Sequence, residues 1–395
     1  MQRTLRTITT CFIVATIGAA TVFADSPTVV PVDGKPFTAT LSGIDADGRA
    51  TFIAENKQRT LPLADLVRWG NPRETAAGPI VVTAAGGLLV ADVYGGDKES
   101  IDCDSGLFGT VTLPLSALAG VVFHPPSQRQ SRDPLIDSVA GSEGNTDRLV
   151  LNNGDSLSGV IEGIENGEVK LKTDLASVSI ETDRISAMIF NPALRDPAPR
   201  GGLRCWTGMA DGSRLLATKI FLNPTIAAIT STAGKTLKTS PEEVVYLQPL
   251  GGRAVYLSDL KAAGYRHLPF LETKWPYKTD RNATGGQLRC GDRIYAKGLG
   301  MHSAARLTYT LDQPYKRFDA ELGIDDSTDG GGSVRFRVYV DGEERQGSQI
   351  VRGGQRPVPI SVDLKDARRL DLIVDFADRA DQLDRADWMD ARLMK

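Results

Sequence analysis

The sequence predicts an all-β protein in which a C-terminal β-sandwich is preceded by about four small SH3-like or bent-sheet β repeats. Three observations support this fold class. Apolar residues occur in short runs that alternate with polar residues, which is the period-two pattern of half-buried strands. The chain contains 40 Gly and 21 Pro among its 395 residues, which favours many turns. One arrangement of strands with a closing Pro also recurs as far as Leu250, which indicates repeats.

Residues 1–24 have the pattern of a secretory signal peptide. Arg3 and Arg6 form a basic start, an apolar stretch runs from Cys11 to Val22, and small residues stand before Asp25. The apolar stretch is shorter than the roughly 20 residues that a transmembrane helix needs, so a membrane anchor is the less favoured alternative. Cleavage after Ala24 predicts an exported protein without a membrane span, located in the periplasm, at the cell surface or outside the cell.

Length and charge narrow the remaining choices. About 370 mature residues are too many for one core and predict two to four domains. The formal net charge of −3 becomes −5 when Arg3 and Arg6 are removed, so no basic surface for nucleic acid is implied. Three cysteines, Cys103, Cys205 and Cys290, remain in the mature chain. Their odd number and wide spacing leave two alternatives open, one disulfide with a free thiol or three buried thiols.

Four segments between Val29 and Leu250 end in the same way. Each ending has a polar residue or Pro, an apolar residue about three positions later and an apolar strand that Pro stops. We interpret the ending as one helical turn that leads into the last strand of a small bent sheet or SH3-like barrel of about 45 residues. Units of this size need a partner to bury a core, so we expect neighbouring units to pack in pairs. The endings are Pro62–Pro72, Pro114–Pro125, Thr182–Pro192 and Ser240–Pro249.

Composition divides the chain further. Residues 126–147 are polar and rich in Pro, Ser, Gly and charge, which is typical of a flexible linker. We therefore expect two repeats in residues 25–125, the linker in 126–147, two repeats in 148–250 and the sandwich in 255–395.

The last domain shows the alternation of half-buried antiparallel strands most clearly. Apolar residues occupy every second position in three stretches bounded by Gly and Asp turns, and no long helix is visible. The alternating residues are Leu307, Tyr309 and Leu311, then Val334, Phe336, Val338 and Val340, then Leu370, Leu372, Val374 and Phe376.

The same segment resembles the NPCBM domain, a carbohydrate-binding module associated with glycoside hydrolases of family 98. The resemblance runs from about Val255 to the end and rests on four motifs in the right order, KGLGMHS at 297–303, LGIDD at 322–326, SVRFRVYVDG at 333–342 and ADWMDARL at 386–393. It implies a galactose-binding-like jelly-roll sandwich that recognises glycans without cleaving them.

Catalytic signatures are weak in this sequence. Residues 154–157 spell GDSL, the nucleophile motif of a lipase and esterase family, but Ser156 needs a His base, and none of the three histidines follows an Asp at the family's spacing. The sequence contains no G-x-S-x-G, H-E-x-x-H or P-loop motif. We therefore predict that the protein is not an enzyme.

A sugar site needs an aromatic ring to stack on the apolar face of a pyranose and planar polar groups to pair with its hydroxyls. Trp275 and Tyr277 lie in a loop-like stretch that contains Pro276, and the alternative for both is a structural role. Trp388 stands near a strand end, where a core position is the alternative. The candidate sugar-binding residues are Trp275, Tyr277, Arg281, Asp326, Asp384 and Trp388.

The acidic segment that begins at Asp325 could hold a structural calcium ion. Asp325, Ser327 and Asp329 offer oxygens at alternate positions, and Gly330 allows a sharp turn, which suits a hard cation. Phe336 stands where an EF-hand requires Glu, so the helical form of such a site is excluded. An acidic turn without metal is the alternative, and no cofactor is required by the predicted function.

The sequence as a whole predicts an exported, non-catalytic protein that recognises galactose-type sugars on a polysaccharide or glycoconjugate through its C-terminal module. In this interpretation the repeats serve as a spacer or dock an envelope protein. The alternative is a structural or protein-interaction role in the cell envelope, with a sandwich that binds no sugar. A glycoside hydrolase or esterase is the third hypothesis.

Overall fold

A computed structural model describes residues 27–75, 77–197 and 201–395. The predicted signal peptide of residues 1–24 lies outside this range. Strands make up most of the described chain, and they confirm the all-β class. None of the helices in the described ranges is long and apolar enough to cross a membrane.

The first two repeats cover residues 28–70 (repeat 1) and 80–122 (repeat 2). Repeat 1 contains β1 (Thr28–Pro31), β2 (Phe37–Thr38), β3 (Thr40–Ile44), β4 (Arg49–Ala54), β5 (Lys57–Pro62) and β6 (Leu66–Gly70). Repeat 2 contains β7 (Ile80–Thr83), β8 (Leu88–Val90), β9 (Asp92–Gly96), β10 (Ser100–Ser105), β11 (Gly109–Pro114) and β12 (Leu118–Val122).

The next two repeats cover residues 147–189 (repeat 3) and 204–250 (repeat 4). Repeat 3 contains β13 (Asp147–Leu151), β14 (Ser156–Glu165), β15 (Glu168–Lys172), β16 (Ser177–Glu181) and β17 (Ile185–Ile189). Repeat 4 contains β18 (Arg204–Met209), β19 (Arg214–Leu222), β20 (Ala227–Ser231), β21 (Thr236–Thr239) and β22 (Val244–Leu250).

The repeats share the wiring that their sequence endings predict. In each repeat a 3-10 turn stands directly before the last strand, and that strand returns to pair antiparallel with the first strand, which closes a small bent sheet. The four turns are Leu63–Asp65, Leu115–Ala117, Thr182–Arg184 and Pro241–Glu243. The prediction of four small bent-sheet repeats is therefore confirmed.

The repeats pack in pairs, but not both pairs are neighbours in sequence. Repeats 2 and 3 join through β12 and β17, where Val121 faces Met188. Repeats 1 and 4 join through β6 and β22, where Trp69 faces Leu247. Each pair has a common core, because residues of both members belong to the same buried cluster. In chain order, repeats 2 and 3 therefore lie between repeats 1 and 4, the two members of the other pair.

The structure corrects the prediction of a flexible linker in residues 126–147. Residues Arg129–Ala140 form an α-helix, α1. Ile136 and Val139, three positions apart on one face, are buried against the last strands of repeats 2 and 3, where a cluster of aliphatic residues receives them. Polar composition and Pro134 conceal this helix in the sequence, and Ile136 and Val139 are its only fully buried apolar residues, with Leu135 and Ala140 partly buried beside them.

The C-terminal domain is a sandwich of two antiparallel sheets. The first sheet has the order β25-β28-β36-β30-β34, with β23 also on β36, and the second has the order β24-β29-β35-β31-β32, with β33 also on β31. The strands are β23 (Ala254–Tyr256), β24 (Gly264–His267), β25 (Lys278–Thr279), β26 (Leu288–Cys290), β27 (Arg293–Tyr295), β28 (Gly298–His302), β29 (Ala305–Thr310), β30 (Arg317–Ile324), β31 (Ser333–Val340), β32 (Glu343–Gly347), β33 (Val351–Arg352), β34 (Val358–Asp363), β35 (Arg369–Phe376) and β36 (Arg385–Met394). Strands β26 and β27 form a separate hairpin.

The predicted alternation places the core correctly in this sandwich. Every alternating residue of the three predicted stretches is buried between the two sheets except Phe376, which is 46% exposed. Phe376 ends its strand and contacts the ring of Phe270 instead, with centroids 6.4 Å apart. The sandwich is therefore the domain that its pattern predicted.

A buried polar network joins the sandwich to repeats 1 and 4. Arg68 of β6 lies 2.8 Å from Glu321 and 2.9 Å from Asp390, both on the first sheet of the sandwich. The amide of Gln248 donates hydrogen bonds to Asp390 and to the hydroxyl of Tyr256. Burial alone would lower the pKa of Arg68, but the charges of Asp390 and Glu321 outweigh that effect and raise it. These contacts fix the sandwich on the repeats.

The cysteines settle one question that the sequence left open. Cys103, Cys205 and Cys290 are all buried and all have free thiols, so the second alternative, three buried thiols, describes the part of the chain that the structure covers.

Candidate functional site

The candidate residues gather at one end of the first sandwich sheet. Strand β28 ends there at His302, β30 ends at Ile324 and β36 begins at Arg385. The register confirms this arrangement, because His302 pairs with Arg385 and Ile324 pairs with Ala386. The loops that follow or precede these strands carry most of the polar residues of the two surfaces described next.

The first surface is an aromatic platform formed by Trp275 on the buried ring of His302. The two rings are stacked with centroids 4.9 Å apart and an interplanar angle of 6°. Trp275 is half-buried, and its main chain is held on both sides, since Tyr265 Oη donates to Trp275 O at 2.7 Å and Trp275 N donates to His267 Nδ1 at 3.3 Å. A ring held in this way can stack on a pyranose without losing side-chain freedom on binding.

The histidines under the platform have defined states. His267 Nδ1 accepts a hydrogen bond, so we assign its proton to Nε2, which donates to Ser303 O at 2.9 Å. Burial lowers the pKa of His302, which keeps this ring neutral at neutral pH. Asp381 and Arg385 are an acidic and a basic neighbour of His302.

The second surface is a cleft between α1 and the sandwich loops, with a volume of about 390 Å³. We use the name "cleft" for the space between the first half of α1 on one side and residues 282–289, 325–329 and Arg385 on the other. Four residues from the predicted sites line it, Asp325, Asp326, Ser327 and Asp329. The structure therefore brings these four together, while Trp275 belongs to the platform.

Hydrogen bonds already occupy the carboxylates at the base of the cleft. Asp325 Oδ1 accepts from Asn282 Nδ2 at 2.8 Å and from Ser327 N at 3.0 Å, and its Oδ2 accepts from Arg289 N at 3.0 Å. Asp326 accepts from the main-chain nitrogens of Gly291 and Asp292, both at 3.0 Å. These bonds fix the loop and terminate β30.

This donor arrangement does not fit a calcium ion at Asp325, Ser327 and Asp329. Both oxygens of Asp325 point at N–H donors, and the hydroxyl of Ser327 lies 3.1 Å from the guanidinium of Arg385, whose charge repels a cation. Within residues 27–75, 77–197 and 201–395 no cluster of three His, Cys, Asp or Glu side chains is placed to hold a metal ion. Calcium at this turn stays a prediction without support from the geometry.

Asp387 lies behind Asp325 and is fully buried. No described residue donates a hydrogen bond to either of its oxygens. Burial first, and then the negative charge of Asp325, raise the pKa of Asp387 well above its ordinary value. As a neutral acid Asp387 can donate to the carboxylate of Asp325, so this pair supports the base of the cleft with one negative charge and not two.

Three predicted sugar-binding residues have other roles in the structure. Trp388 is fully buried between the sheets, edge-on to Phe336 with centroids 5.0 Å apart, so it is a core residue. Asp384 is also fully buried and accepts from Ser303 Oγ at 2.7 Å and Ser333 N at 2.8 Å. Arg281 points at α1, where its Nη2 lies 2.7 Å from Asp137. Burial and ion pairing correct the prediction for these three.

Tyr277 lies beside the platform and contacts the ring of Tyr265, with centroids 5.1 Å apart. Sequence reasoning missed the contributions of His267, Arg385 and the residues of α1. Arg385 directly precedes the ADWMDARL motif, so a signal for it was available. The α1 residues were assigned to a linker, and nothing in their local sequence connects them with loops about 150 residues later.

The hydrolase hypothesis at Ser156 finds no geometric support. Ser156 begins β14 and is exposed at a turn. Ser156 pairs with Val150 on the next strand, and Val150 pairs with Ala187 on the strand after that. Ala187 pairs in turn with Val122 at the end of β12, and His124 follows that strand. The path along the sheet is thus three strand spacings, about 14 Å, and Ser156 makes no hydrogen bond to a histidine within the described residues. His267 and His302 belong to the sandwich.

Comparison with known proteins identifies the C-terminal domain. Residues 253–394 match the model of the NPCBM/NEW2 domain. An alpha-1,3-galactosidase B of Akkermansia muciniphila is 32% identical over 117 residues, which cover 29% of this chain and 15% of that protein. A putative endo-alpha-N-acetylgalactosaminidase of Renibacterium salmoninarum is 28% identical over 188 residues, covering 47% of this chain and 12% of that protein.

Among solved structures, CBM51 from Clostridium perfringens GH95 in complex with methyl-galactose is 23% identical, with a TM-score of 0.33, and covers 36% of this chain and 99% of that structure. The chain spans only 15% and 12% of the two curated relatives. The match to the family model coincides with the sandwich from β23 to β36, and it confirms the resemblance drawn from the four motifs. Residues 253–394 of this chain are an NPCBM/NEW2 domain.

Proposed function

We propose that this protein binds carbohydrate through its C-terminal sandwich, with Trp275 as the stacking platform and galactose-type sugars as the preferred ligands. The observation that carries the proposal is the half-exposed Trp275 ring, held parallel to the buried His302 by two main-chain hydrogen bonds. One ring face is covered by His302, and in this proposal the ligand stacks on the other. Sugar-binding sites use such a preformed ring beside a few directed polar groups.

The names of the relatives support the choice of sugar. One is an alpha-1,3-galactosidase and the other a putative endo-alpha-N-acetylgalactosaminidase, and both names refer to galactose-type residues. Galactose presents an apolar face formed by its C–H groups on one side of the ring, to which an indole ring is complementary. Asp381 and Arg385 lie near enough to His302 to affect its pKa, and in this proposal they supply an acceptor and a donor for the hydroxyls.

The proposal includes a non-catalytic role and export. Support for a non-catalytic role comes from the separation of Ser156 from the histidines across several strands and from the hydrogen bonds that Asp325 and Asp326 make to the protein's own N–H groups. Export rests on the signal-peptide pattern of residues 1–24. The ligand is then a polysaccharide or glycoconjugate outside the cytoplasm.

The test is titration of the full chain against galactose-, N-acetylgalactosamine-, glucose- and mannose-terminated glycans, each with calcium and with chelator. The full chain is needed because Asp390 and Glu321 of the sandwich are paired with Arg68 of repeat 1, and removal of the repeats would leave these carboxylates without their partner. We expect galactose-type glycans to bind best and calcium to make no difference at Asp325.

Trp275→Ala should weaken binding at least tenfold, about 1.4 kcal/mol, because the stacking surface is lost while the fold is retained. Phe270→Ala is the matched control, since Phe270 is an exposed aromatic residue of the same loop that rests on Phe376 and not on His302. Equal binding by wild type and Trp275→Ala would exclude the platform. A folded wild-type chain that binds no glycan would favour the structural role in the cell envelope.

A further inference from the structure

The cleft has the size and the rigidity of a binding site. Its volume of about 390 Å³ lies in the range of small-molecule pockets, roughly 300 to 1,000 Å³. Its two walls come from different domains, and two arginines of the sandwich hold them together. Arg289 forms ion pairs with Asp133 of α1 and with Glu74, and Arg281 pairs with Asp137 one helical turn further on. The cleft is therefore preorganised, which reduces the entropic cost of filling it.

The helical wall contributes polar groups that the fold does not use. Gln130 is exposed at the cleft, and its side-chain amide makes no hydrogen bond to any other described residue. Pro134 has no N–H, so the main-chain carbonyl of Gln130 lacks the donor that an ordinary helix would supply four residues later. Gln130 thus brings an amide donor and an amide acceptor to the cleft, and its main-chain carbonyl lacks its usual helical donor.

The opposite wall supplies complementary groups. Asp329 is exposed, and no hydrogen bond or ion pair occupies its carboxylate within the described residues. Nη1 of Arg385 donates hydrogen bonds to Ser327 O at 3.0 Å and to Ser327 Oγ at 3.1 Å. The other N–H groups of this guanidinium remain for a ligand. Arg289 and Asp133 neutralise each other inside the wall. The free groups therefore include both signs of charge and an amide, which suits a neutral ligand rich in hydroxyl groups.

The cleft adjoins the platform. Arg385 faces His302 directly across the antiparallel pair β28 and β36, and such partners have Cα atoms about 4.5 to 5.5 Å apart. The side chain of Arg385 reaches Ser327 in the cleft, while His302 carries Trp275. A glycan that stacks one residue on Trp275 can place the next residue in the cleft.

We propose that the cleft is a second saccharide subsite in which Gln130 of α1 binds a neutral sugar unit next to the one on Trp275, so that the repeat region supplies part of the glycan site. The inference rests on the proposed function of the platform. It assigns a binding role to a helix that lies outside the NPCBM/NEW2 domain. Recognition of an oligosaccharide then depends on both domains, whereas a single galactose depends on the sandwich alone.

The experiment compares two probes on the full chain, methyl-galactoside and a neutral galactose-terminated tetrasaccharide. Gln130→Ala and Asp329→Ala should each weaken the tetrasaccharide three- to tenfold and leave methyl-galactoside unchanged, because each removes hydrogen bonds made only in the cleft. Ser131→Ala is the matched control, since Ser131 is exposed on α1 next to Gln130 but outside the cleft. Ala at position 130 preserves the helix, which a thermal melt checks.

The experiment distinguishes failure of the cleft subsite from failure of the platform. Wild-type affinity for the tetrasaccharide in both cleft variants, with binding still lost in Trp275→Ala, would overturn the cleft subsite and leave the platform intact. No binding of either probe by folded wild type would overturn the platform and the subsite together. Stronger binding of an acidic tetrasaccharide than of the neutral one would overturn the assignment of a neutral ligand.

Discussion

Asp384 illustrates how a buried carboxylate can prepare a binding surface without touching the ligand. It accepts the hydroxyl of Ser303, and the main-chain carbonyl of Ser303 in turn accepts from His267 Nε2 and lies 3.2 Å from His302 Nδ1. Both histidines contact Trp275. The chain of contacts fixes the platform from behind, which explains why this acidic residue of the DRADW segment belongs to the site although it cannot reach a sugar.

The same carboxylate predicts a pH dependence of stability. Burial is the main cause that raises the pKa of Asp384 from 3.8 to about 6, so the folded chain holds this proton more tightly than the unfolded chain. Its stabilising contribution is complete below pH 3.8 and is lost as the pH rises through about 6. Asp384→Asn cannot titrate. The melting temperature of Asp384→Asn minus that of wild type should therefore increase from pH 4 to pH 7, and a constant difference would contradict the assignment.

At the scale of single elements, close strand contact explains two glycines at the junctions between repeats. A Cβ atom on Gly120 of β12 would lie 2.1 Å from Met188 O of repeat 3. A Cβ atom on Gly70 of β6 would lie 2.0 Å from Val245 O of repeat 4. Each pair of repeats thus has one position where only glycine lets the two backbones approach.

Gly120→Ala should lower the free energy of unfolding by about 1–3 kcal/mol or more, because β12 and β17 must separate to admit the methyl group. Gly106→Ala is a suitable control in the same repeat, since its Cβ would meet no atom within 4 Å and its backbone is not left-handed. Denaturant titration of both variants measures the difference. Equal stabilities would show that the junction can widen without cost.

Elements also show how far the sequence could predict this structure. Period-two alternation located the sandwich strands because each has one face toward the core and one toward solvent. Helix α1 escaped prediction because the contacts that hold it, Arg281 to Asp137 and Arg289 to Asp133, come from loops far along the chain. Trp388, flanked by Asp387 and Asp390, had a core position as its alternative, and the structure places its ring on the core face of β36, where it contacts Phe318 and Phe336.

The whole molecule depends on the network around Arg68. Side chains from repeat 1, repeat 4 and the sandwich meet there, and their relative exposures are 7% for Arg68 and 1% for Asp390. Burial raises the pKa of Asp390, although Arg68 and Arg392 partly oppose it. For Glu321, burial is the largest single effect and would also raise the pKa, but the charge of Arg68 and the hydrogen bonds from Tyr295 and Arg68 together outweigh it and lower the pKa. The guanidinium of Arg68 therefore pairs with two carboxyl groups, those of Asp390 and Glu321, where the repeats meet the sandwich.

Arg68→Met should destabilise the protein by about 3–5 kcal/mol, because it leaves Asp390 and Glu321 without their cation at a buried site. Arg352→Met provides the comparison, since the pair of Arg352 with Asp378 is exposed to 50% and 55% and should contribute less than about 1 kcal/mol. Urea unfolding followed by fluorescence and circular dichroism measures both. A loss below 1 kcal/mol for Arg68→Met would mean that water replaces the arginine at the interface.

The nested pairing of the repeats determines the order in which a growing chain can fold. Repeats 2 and 3 are adjacent in sequence and can form most of their common core as soon as Ile189 has been made, although Leu215 and Leu237 of repeat 4 join it later. Repeat 1 cannot, since the strand that covers Trp69 is β22, which ends at Leu250. At ordinary rates of synthesis the apolar face of repeat 1 stays exposed for roughly ten to forty seconds, until repeat 4 has been made. The first repeat to be synthesised is thus among the last to be buried.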